Sequence, residues 1–164
     1  MLSWVDGQPA DALSVKDRGL AYGDGLFATM GVRGAQIQLF ERQLARVQQG
    51  CARLALPCDF TQLRQELLAF AAQMEEGVLK LILTRGEGQR GYALPVSVQS
   101  RRIIQASARP AYPAANAEQG VRLFPCVTRL AEQPLLAGLK HLNRLEQVLA
   151  RAEWQSAEYA EGLL

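Results

Sequence analysis

The chain has 164 residues, of which 49% are hydrophobic and 21% are charged, and its formal net charge at pH 7 is +2. These values are typical of a globular protein and exclude a chain that is disordered over most of its length. The even charge balance, with no basic stripe containing interleaved aromatic residues, gives no support for nucleic-acid binding. No apolar run approaches the ~20 residues of a membrane-spanning helix, so we expect no membrane insertion.

The cysteines and the first residues indicate a cytoplasmic protein. Cys51, Cys58 and Cys126 make an odd number of cysteines without a short pairing pattern. The opening residues, MLSWVDG, have neither the basic flank nor the apolar block of a signal peptide. We therefore expect reduced thiols and a cytoplasmic location.

Hydrophobic spacing predicts a mixture of strands and helices up to about residue 108. A first helix is expected from Glu41 to a stop at Pro57, and a second from a capping box at Asp59 and Gln62 to Gly77. The segment 17–25 is punctuated by glycines, and 85–91 is expected to be a polar loop. The expected strands are at 2–5, 26–33, 36–40, 78–84 and 100–107.

The remaining residues predict the beginning of a second domain. Residues 109–119 contain two prolines and four alanines and are the predicted linker between a domain at 1–108 and one that begins at 120. A strand is expected at 121–127 and another beginning at 162–164, so we expect 120–164 to be a fragment of a longer domain. A final helix is expected from Asn143, capped with Glu146. Its predicted apolar side comprises Leu142, Leu145, Leu149 and Ala152.

Three common kinds of site are excluded by their context. Residues 86–91 (GEGQRG) have the spacing of a dinucleotide fingerprint, but no helix follows and no acidic residue lies ~20 positions on. One histidine and three scattered cysteines do not make a metal cluster. His141 has no serine in a G-x-S-x-G turn to activate, so we expect it to be a packing residue.

Lysine usage singles out Lys140. Only three of the 18 basic residues are lysines, at positions 16, 80 and 140, and lysine can lose its proton and attack a carbonyl carbon whereas arginine cannot. Lys140 lies in the apolar stretch LLAGLKHLN, just before the predicted final helix. Burial and the helix N-terminus both favour the neutral amine that a Schiff-base nucleophile needs. The alternative is a lysine whose stem covers apolar surface while its head is in water.

Arginine and tyrosine residues supply weaker candidates. Arg46 lies off the apolar stripe of the first helix, where a solvated face is the ordinary explanation. Arg85, Arg90 and Tyr92 lie on the polar loop, where an arginine clamp for a carboxylate competes with a solvated hairpin tip.

Three segments resemble a known family in the same order along the chain. They are DRGLAYGDGLF (17–27), GVLKLILTRGEGQRGY (77–92) and LAGLKHLNRLEQVLARAE (136–153), and they are similar to the aminodeoxychorismate lyases of the fold-type IV, class IV aminotransferase-like enzymes. This resemblance implies an α+β, two-domain fold like that of D-amino-acid aminotransferases. It also implies pyridoxal 5′-phosphate as cofactor, and a homodimer.

The resemblance further implies roles for individual residues. Lys140 would hold the cofactor as a Schiff base and then shuttle a proton. Arg46 would bind the cofactor phosphate, and Asn143 matches the asparagine that follows the family lysine by three residues. The residues expected near the substrate and the domain interface are Tyr22, Arg90 and Tyr92.

The implied reaction converts 4-amino-4-deoxychorismate into 4-aminobenzoate and pyruvate for folate biosynthesis. Ala28 follows Phe27 where branched-chain aminotransferases usually carry an acidic residue, and this difference favours the lyase. A class IV aminotransferase acting on D- or branched-chain amino acids is the alternative, and an inactive truncated scaffold is another. The acidic partner of the pyridine nitrogen and most of the phosphate cup are expected after residue 164.

Overall fold

The structure, a computed structural model, describes residues 2–164. The strands are β1 (Ser3–Val5), β2 (Gln8–Pro9), β3 (Gly25–Arg33), β4 (Gln36–Ile37), β5 (Glu76–Thr84), β6 (Arg101–Ser107), β7 (Leu123–Pro125) and β8 (Glu161–Leu163). The helices are α1 (Arg18–Tyr22), α2 (Phe40–Arg53), α3 (Phe60–Ala71), α4 (Ala115–Gln119) and α5 (Leu145–Ala152). The chain divides into two compact units, residues up to 109 with 139–142, and residues 110–138 with 143–164. The α+β class predicted from the sequence is confirmed.

The first unit is built on a six-stranded antiparallel sheet in the order β2-β1-β6-β5-β3-β4. The two longest strands, β3 and β5, pair from Gly25 opposite Thr84 to Arg33 opposite Glu76. Side chains alternate between the two faces along each strand, because successive residues of a strand point in opposite directions. The buried set in β3 comprises Leu26, Ala28, Met30 and Val32, whereas Phe27 and Thr29 belong to the opposite set and are more exposed.

Helices α2 and α3 supply the rest of this core. Their buried residues recur at helical spacing and form one cluster with the buried residues of β3 and β5. The predicted cap of α3 is confirmed, since the Asp59 carboxylate accepts hydrogen bonds from the backbone N–H groups of Thr61 and Gln62 at 2.9 and 3.0 Å. Both helices pack against the same face of the sheet. The side chains on the other face, which include Phe27 and Thr29, therefore remain accessible in this unit.

The second unit is small. β7 and β8 pair in parallel, and α5 packs through Ala150 into a cluster with Cys126 and Trp154. The predicted start of a strand at the last residues is confirmed. On the predicted apolar side of the final helix, Leu145 and Leu149 are exposed in this chain.

Several predicted boundaries are wrong. The segment 17–25 contains the short helix α1, which Asp17 caps and Gly23 ends in the left-handed conformation. Phe40 begins α2 instead of ending a strand, and α2 stops at Arg53, before Pro57. α3 likewise stops at Ala71, and Gly77 lies inside β5. The final helix begins at Leu145, with no side-chain cap from Asn143.

The predicted linker and domain limits stay a prediction. Part of the proposed linker forms α4, and residues 139–142 group with the first unit. They do so because they pair with the start of β3, where the N–H of Leu142 donates to the carbonyl oxygen of Gly25 at 3.1 Å. Among residues 2–164, no helix is both long and apolar enough to cross a bilayer.

Candidate active site

Lys140 is held by the backbone against the beginning of β3. The N–H of Phe27 donates to the carbonyl oxygen of Lys140 at 2.9 Å, and Leu26 and His141 form an antiparallel bridge. Because the carbonyl group of Lys140 and the two residues that follow it are paired with the beginning of β3, the side chain of Lys140 leaves the backbone in a defined direction. Lys140 is half-buried, as its apolar surroundings predicted.

The aromatic ring of Phe27 lies close to two lysine amines. Nζ of Lys140 is 4.5 Å from the ring centroid, and Nζ of Lys80 is 5.5 Å from it. Lys80 lies in β5 opposite Thr29 and is exposed. An ammonium group over a ring face is attracted by the electrons of the ring. The ring therefore gathers two positive charges at one place, where an anionic ligand would be attracted.

The predicted effect of a helix N-terminus on Lys140 is wrong. α5 begins five residues after Lys140, at Leu145, and the field of a helix terminus falls off within one turn. His141 and Leu142, the two residues that follow Lys140, pair with the beginning of β3. Burial and the Phe27 ring are the surroundings that the structure gives this amine.

Arg46 lies on α2, one helical turn before the point where α2 approaches β3. A Cβ atom at Gly50 would lie 2.8 Å from Cδ2 of Leu26 and 3.9 Å from Cδ2 of Leu139. Residues four apart on a helix lie one above the other, so Arg46 is on the ridge that continues from this contact. Its side chain is exposed and is open to an anion. Asn143 is exposed and belongs to the second unit.

The loop that carries Arg90 and Tyr92 is held by Arg18. Its guanidinium group donates to the carbonyl oxygens of Gly91 and Ala93 at 3.1 and 3.2 Å and to that of Tyr92 at 3.3 Å. Thus a buried arginine fixes three successive carbonyls of the loop. The structure brings the two predicted substrate residues into one segment with a defined backbone.

Tyr22 joins the same loop. Its hydroxyl oxygen accepts a hydrogen bond from the N–H of Gly91 at 3.2 Å, and its ring packs against that of Tyr92 with centroids 5.4 Å apart. Arg90, in the same loop, lines an open cavity of about 550 Å³. Other residues around the cavity include Lys16, Glu87, Gln89 and Leu94. The structure thus places Tyr22 against the loop that carries Arg90 and Tyr92, and the role of these three residues in substrate binding stays a prediction.

A buried ion-pair network under this loop was missed. Nε of Arg18 donates to Asp24 at 2.8 Å, and Nε of Arg85 donates to the same carboxylate at 2.9 Å. Burial raises the pKa of Asp24, but the hydrogen bonds from Arg85 and then Arg18 outweigh burial and leave this pKa below its ordinary value of 3.8. The expectation that Arg85 lies on a solvated tip is wrong, since this residue is only 3% exposed.

The network connects three parts of the first unit. Arg85 also donates to the carbonyl oxygens of Leu54 and Ala55, each at 2.8 Å, just after α2. Arg18 holds the loop, and Asp24 immediately precedes the strand that pairs with Lys140. The only sequence signal for this network is the repetition of charged residues beside glycines in DRGLAYGDG and TRGEG. Because that pattern is typical of an exposed loop, the sequence did not predict a buried network.

Gly86, the first glycine of the dinucleotide-like segment 86–91, has a structural role in the loop. Its φ is +80°, and a Cβ atom there would lie 1.9 Å from the carbonyl oxygen of Gln99. Glycine is needed for this close passage of two backbones. The next regular element is the strand β6, so the prediction that no helix follows this loop is confirmed.

Comparisons with known proteins agree along nearly the whole chain. A family model described as amino-transferase class IV matches residues 25–164. An aminodeoxychorismate lyase from Vibrio harveyi is 36% identical over 162 residues, which are 98% of this chain and 59% of that protein.

Solved structures extend the comparison. The crystal structure of 4-amino-4-deoxychorismate lyase from Pseudomonas aeruginosa has 67% identity and a TM-score of 0.97, over 99% of this chain and 60% of that one. The PLP-bound form of a hypothetical aminotransferase from Mycobacterium tuberculosis has 21% identity and a TM-score of 0.72, over 93% of this chain and 57% of that one. At this identity the second structure shows a shared fold alone. The chain spans about 60% of the length of the two lyases.

Proposed function

Since the chain belongs to the class IV amino-transferase family, we propose that the protein acts as a pyridoxal-phosphate-dependent aminodeoxychorismate lyase. The reaction converts 4-amino-4-deoxychorismate into 4-aminobenzoate and pyruvate in folate biosynthesis. The observation that carries this proposal is the likeness to two lyases of this name across almost all of the chain. A homodimer and a cytoplasmic location are proposed on the family resemblance.

The residues present fit the cofactor. Attachment of a cofactor through its aldehyde group requires a lysine amine. Lys140 is half-buried, and its amine lies beside an aromatic ring. A phosphate group requires donors such as an arginine guanidinium, and Arg46 offers one on the exposed side of α2. When bound, the cofactor supplies an electron sink that stabilises negative charge on a neighbouring carbon.

Lys140 is the proposed proton carrier. Its amine removes the proton from the ring carbon that bears the substrate's amino group. The same amine then delivers a proton to the methylene carbon of the departing enolpyruvyl group, which leaves as pyruvate when the carbon–oxygen bond breaks. The ring becomes aromatic, so this step is strongly downhill. No atom is left over, because the proton taken from the ring is balanced by the proton given to the methylene.

The substrate carboxylates are proposed to be bound by the cationic and hydroxyl groups of the first unit. Arg90 lines the open cavity, and Tyr92, two residues further along the same loop, packs against Tyr22. Lys80 shares the ring of Phe27 with Lys140, so it places a second positive charge near the reacting amine. Arginine binds a carboxylate with two parallel hydrogen bonds, which would orient the substrate.

A single-turnover assay on the full-length protein tests the reaction. With stoichiometric cofactor and 4-amino-4-deoxychorismate, but no keto acid, we expect equal amounts of pyruvate and 4-aminobenzoate and an unchanged cofactor spectrum. Conversion of the cofactor into its amine form would identify an aminotransferase instead. A protein that binds no cofactor would be an inactive scaffold.

A variant pair assigns the chemistry. Lys140→Ala should slow turnover by about 10²–10⁴-fold, the usual contribution of a positioned acid or base. Arg33→Ala, which alters an exposed residue at the far end of β3, should retain the rate. Equal rates in Lys140→Ala and the parent protein would contradict the proposal.

A further inference from the structure

Two of the three cysteines lie together where α2 ends and α3 begins. Cys51 is in the last turn of α2 and is buried, whereas Cys58 stands just before the Asp59 cap and is partly exposed. Their side chains hydrogen-bond to each other, and both are free thiols. Neither cysteine has a part in the proposed lyase reaction.

The backbone fixes this proximity. Ala55 has a φ of +46°, which reverses the chain after α2, and the N–H of Leu56 donates to the carbonyl oxygen of Cys51 at 2.9 Å. Arg85 anchors the same turn through two further carbonyls. Hydrogen bonds therefore fix the turn that brings the two cysteines together. Because this part of the chain is already ordered, joining the two sulfur atoms costs little further conformational entropy.

The surroundings make the two thiols chemically different. The hydrogen bond from Cys51 lowers the pKa of Cys58, burial raises it, Arg102 lowers it, and Asp59 and Glu66 raise it, with a net lowering. The same hydrogen bond and burial raise the pKa of Cys51. Cys51 is only 2% exposed, whereas Cys58 is partly exposed, so a dissolved reagent reaches Cys58 first. Since a thiolate is the attacking species in disulfide chemistry, Cys58 is the nucleophile and Cys51 the second, resolving thiol.

We propose that Cys51 and Cys58 form a redox-active dithiol that reacts with low-molecular-weight disulfides of the glutathione type. The sulfur of Cys58 attacks one sulfur of the reagent, whose S–S bond breaks and releases one thiol. The sulfur of Cys51 then loses its proton and attacks the sulfur of Cys58, which expels the second thiol. The two cysteines lose two electrons and two protons, and the reagent is reduced to two thiols.

The test is peptide mapping of the full chain after timed exposure to oxidised glutathione. We expect a peptide pair joined through Cys51 and Cys58, lighter by two hydrogens and restored by a dithiol reductant. Cys126 provides an internal control, because it is buried and burial raises its pKa. Cys58 should react at least about tenfold faster than Cys126. Equal rates, or a lasting glutathione adduct on Cys58 without closure, would overturn the proposal.

Three variants separate the steps. Cys58→Ser should remove the fast reaction, and Cys51→Ser should trap the mixed disulfide on Cys58. Cys126→Ser should leave both steps unchanged. If Cys51→Ser does not fold, the parent protein still decides the matter: an aromatic disulfide reagent should release one coloured thiol rapidly and a second as the ring closes. A fast phase that survives in Cys58→Ser would refute the assignment.

Discussion

Among single side chains, Asp24 has the most connected position in the first unit. One carboxylate, 15% exposed, accepts from two guanidinium groups that are each 4% exposed. Removing the charge leaves both arginines buried without their counter-ion. We expect Asp24→Asn to lower the free energy of unfolding by about 3–5 kcal/mol, measured by urea denaturation. Glu41→Gln, which breaks an exposed pair with Arg64, is the matched control and should leave stability essentially unchanged.

The same carboxylate makes stability depend on pH with a defined sign. The folded pKa of Asp24 is lowered below 3.8, so its contribution is fully present above that value and is lost as the pH falls through the folded pKa. The parent protein should therefore lose more stability than Asp24→Asn when the pH decreases below about 3.8. Urea midpoints of both proteins across the acidic range measure the difference. Parallel pH curves would show that the ion pair is not coupled to folding.

Among the elements, β3 combines two glycines with opposite tolerance for a side chain. A Cβ atom at Gly25 would lie 2.2 Å from the carbonyl oxygen of Leu83 and 2.8 Å from Cδ1 of Leu142, whereas at Gly31 the nearest atom is Cγ of Gln38 at 3.8 Å. We expect Gly25→Ala to destabilise the protein by about 1–3 kcal/mol through overpacking. Gly31→Ala should be neutral or slightly stabilising. Thermal unfolding of both variants is the measurement, and equal loss in both would contradict this packing.

Regular elements were predictable from the sequence where one local signal decided them. The apolar, partly β-branched run 78–84 identified β5, and the Asp59 side chain identified the start of α3. The short helix α1 was missed because its glycines suggest a loop, whereas a cap at Asp17 and contacts from distant residues stabilise it. The start of α5 was placed too early: its cap residue is Arg144, with no side-chain cap hydrogen bond, and residues 140–142 before it pair with the beginning of β3. That pairing is long-range and leaves no local pattern.

The candidate site could be predicted in part for a similar reason. Lys140 is identifiable because a lysine in an apolar stretch is unusual, and the structure adds the Phe27 ring beside it. The second lysine whose amine lies near the Phe27 ring is Lys80. Its position there could not be found without the register of β3 and β5. The Asp24 network was missed because the sequence alone does not distinguish a buried arginine from a solvated one. The fold-type IV fold implied by the resemblance is confirmed by the solved structures.

On the scale of the whole molecule, the account depends on a bond between Lys140 and an aldehyde. The chain spans about 60% of the related lyases, so the full-length protein is the appropriate sample. The most direct measurement is borohydride reduction of this protein with pyridoxal 5′-phosphate, followed by peptide mapping. We predict one labelled lysine, Lys140, and no label on Lys16 or Lys80. Label on either of those residues instead, or no label at all, would contradict the central claim.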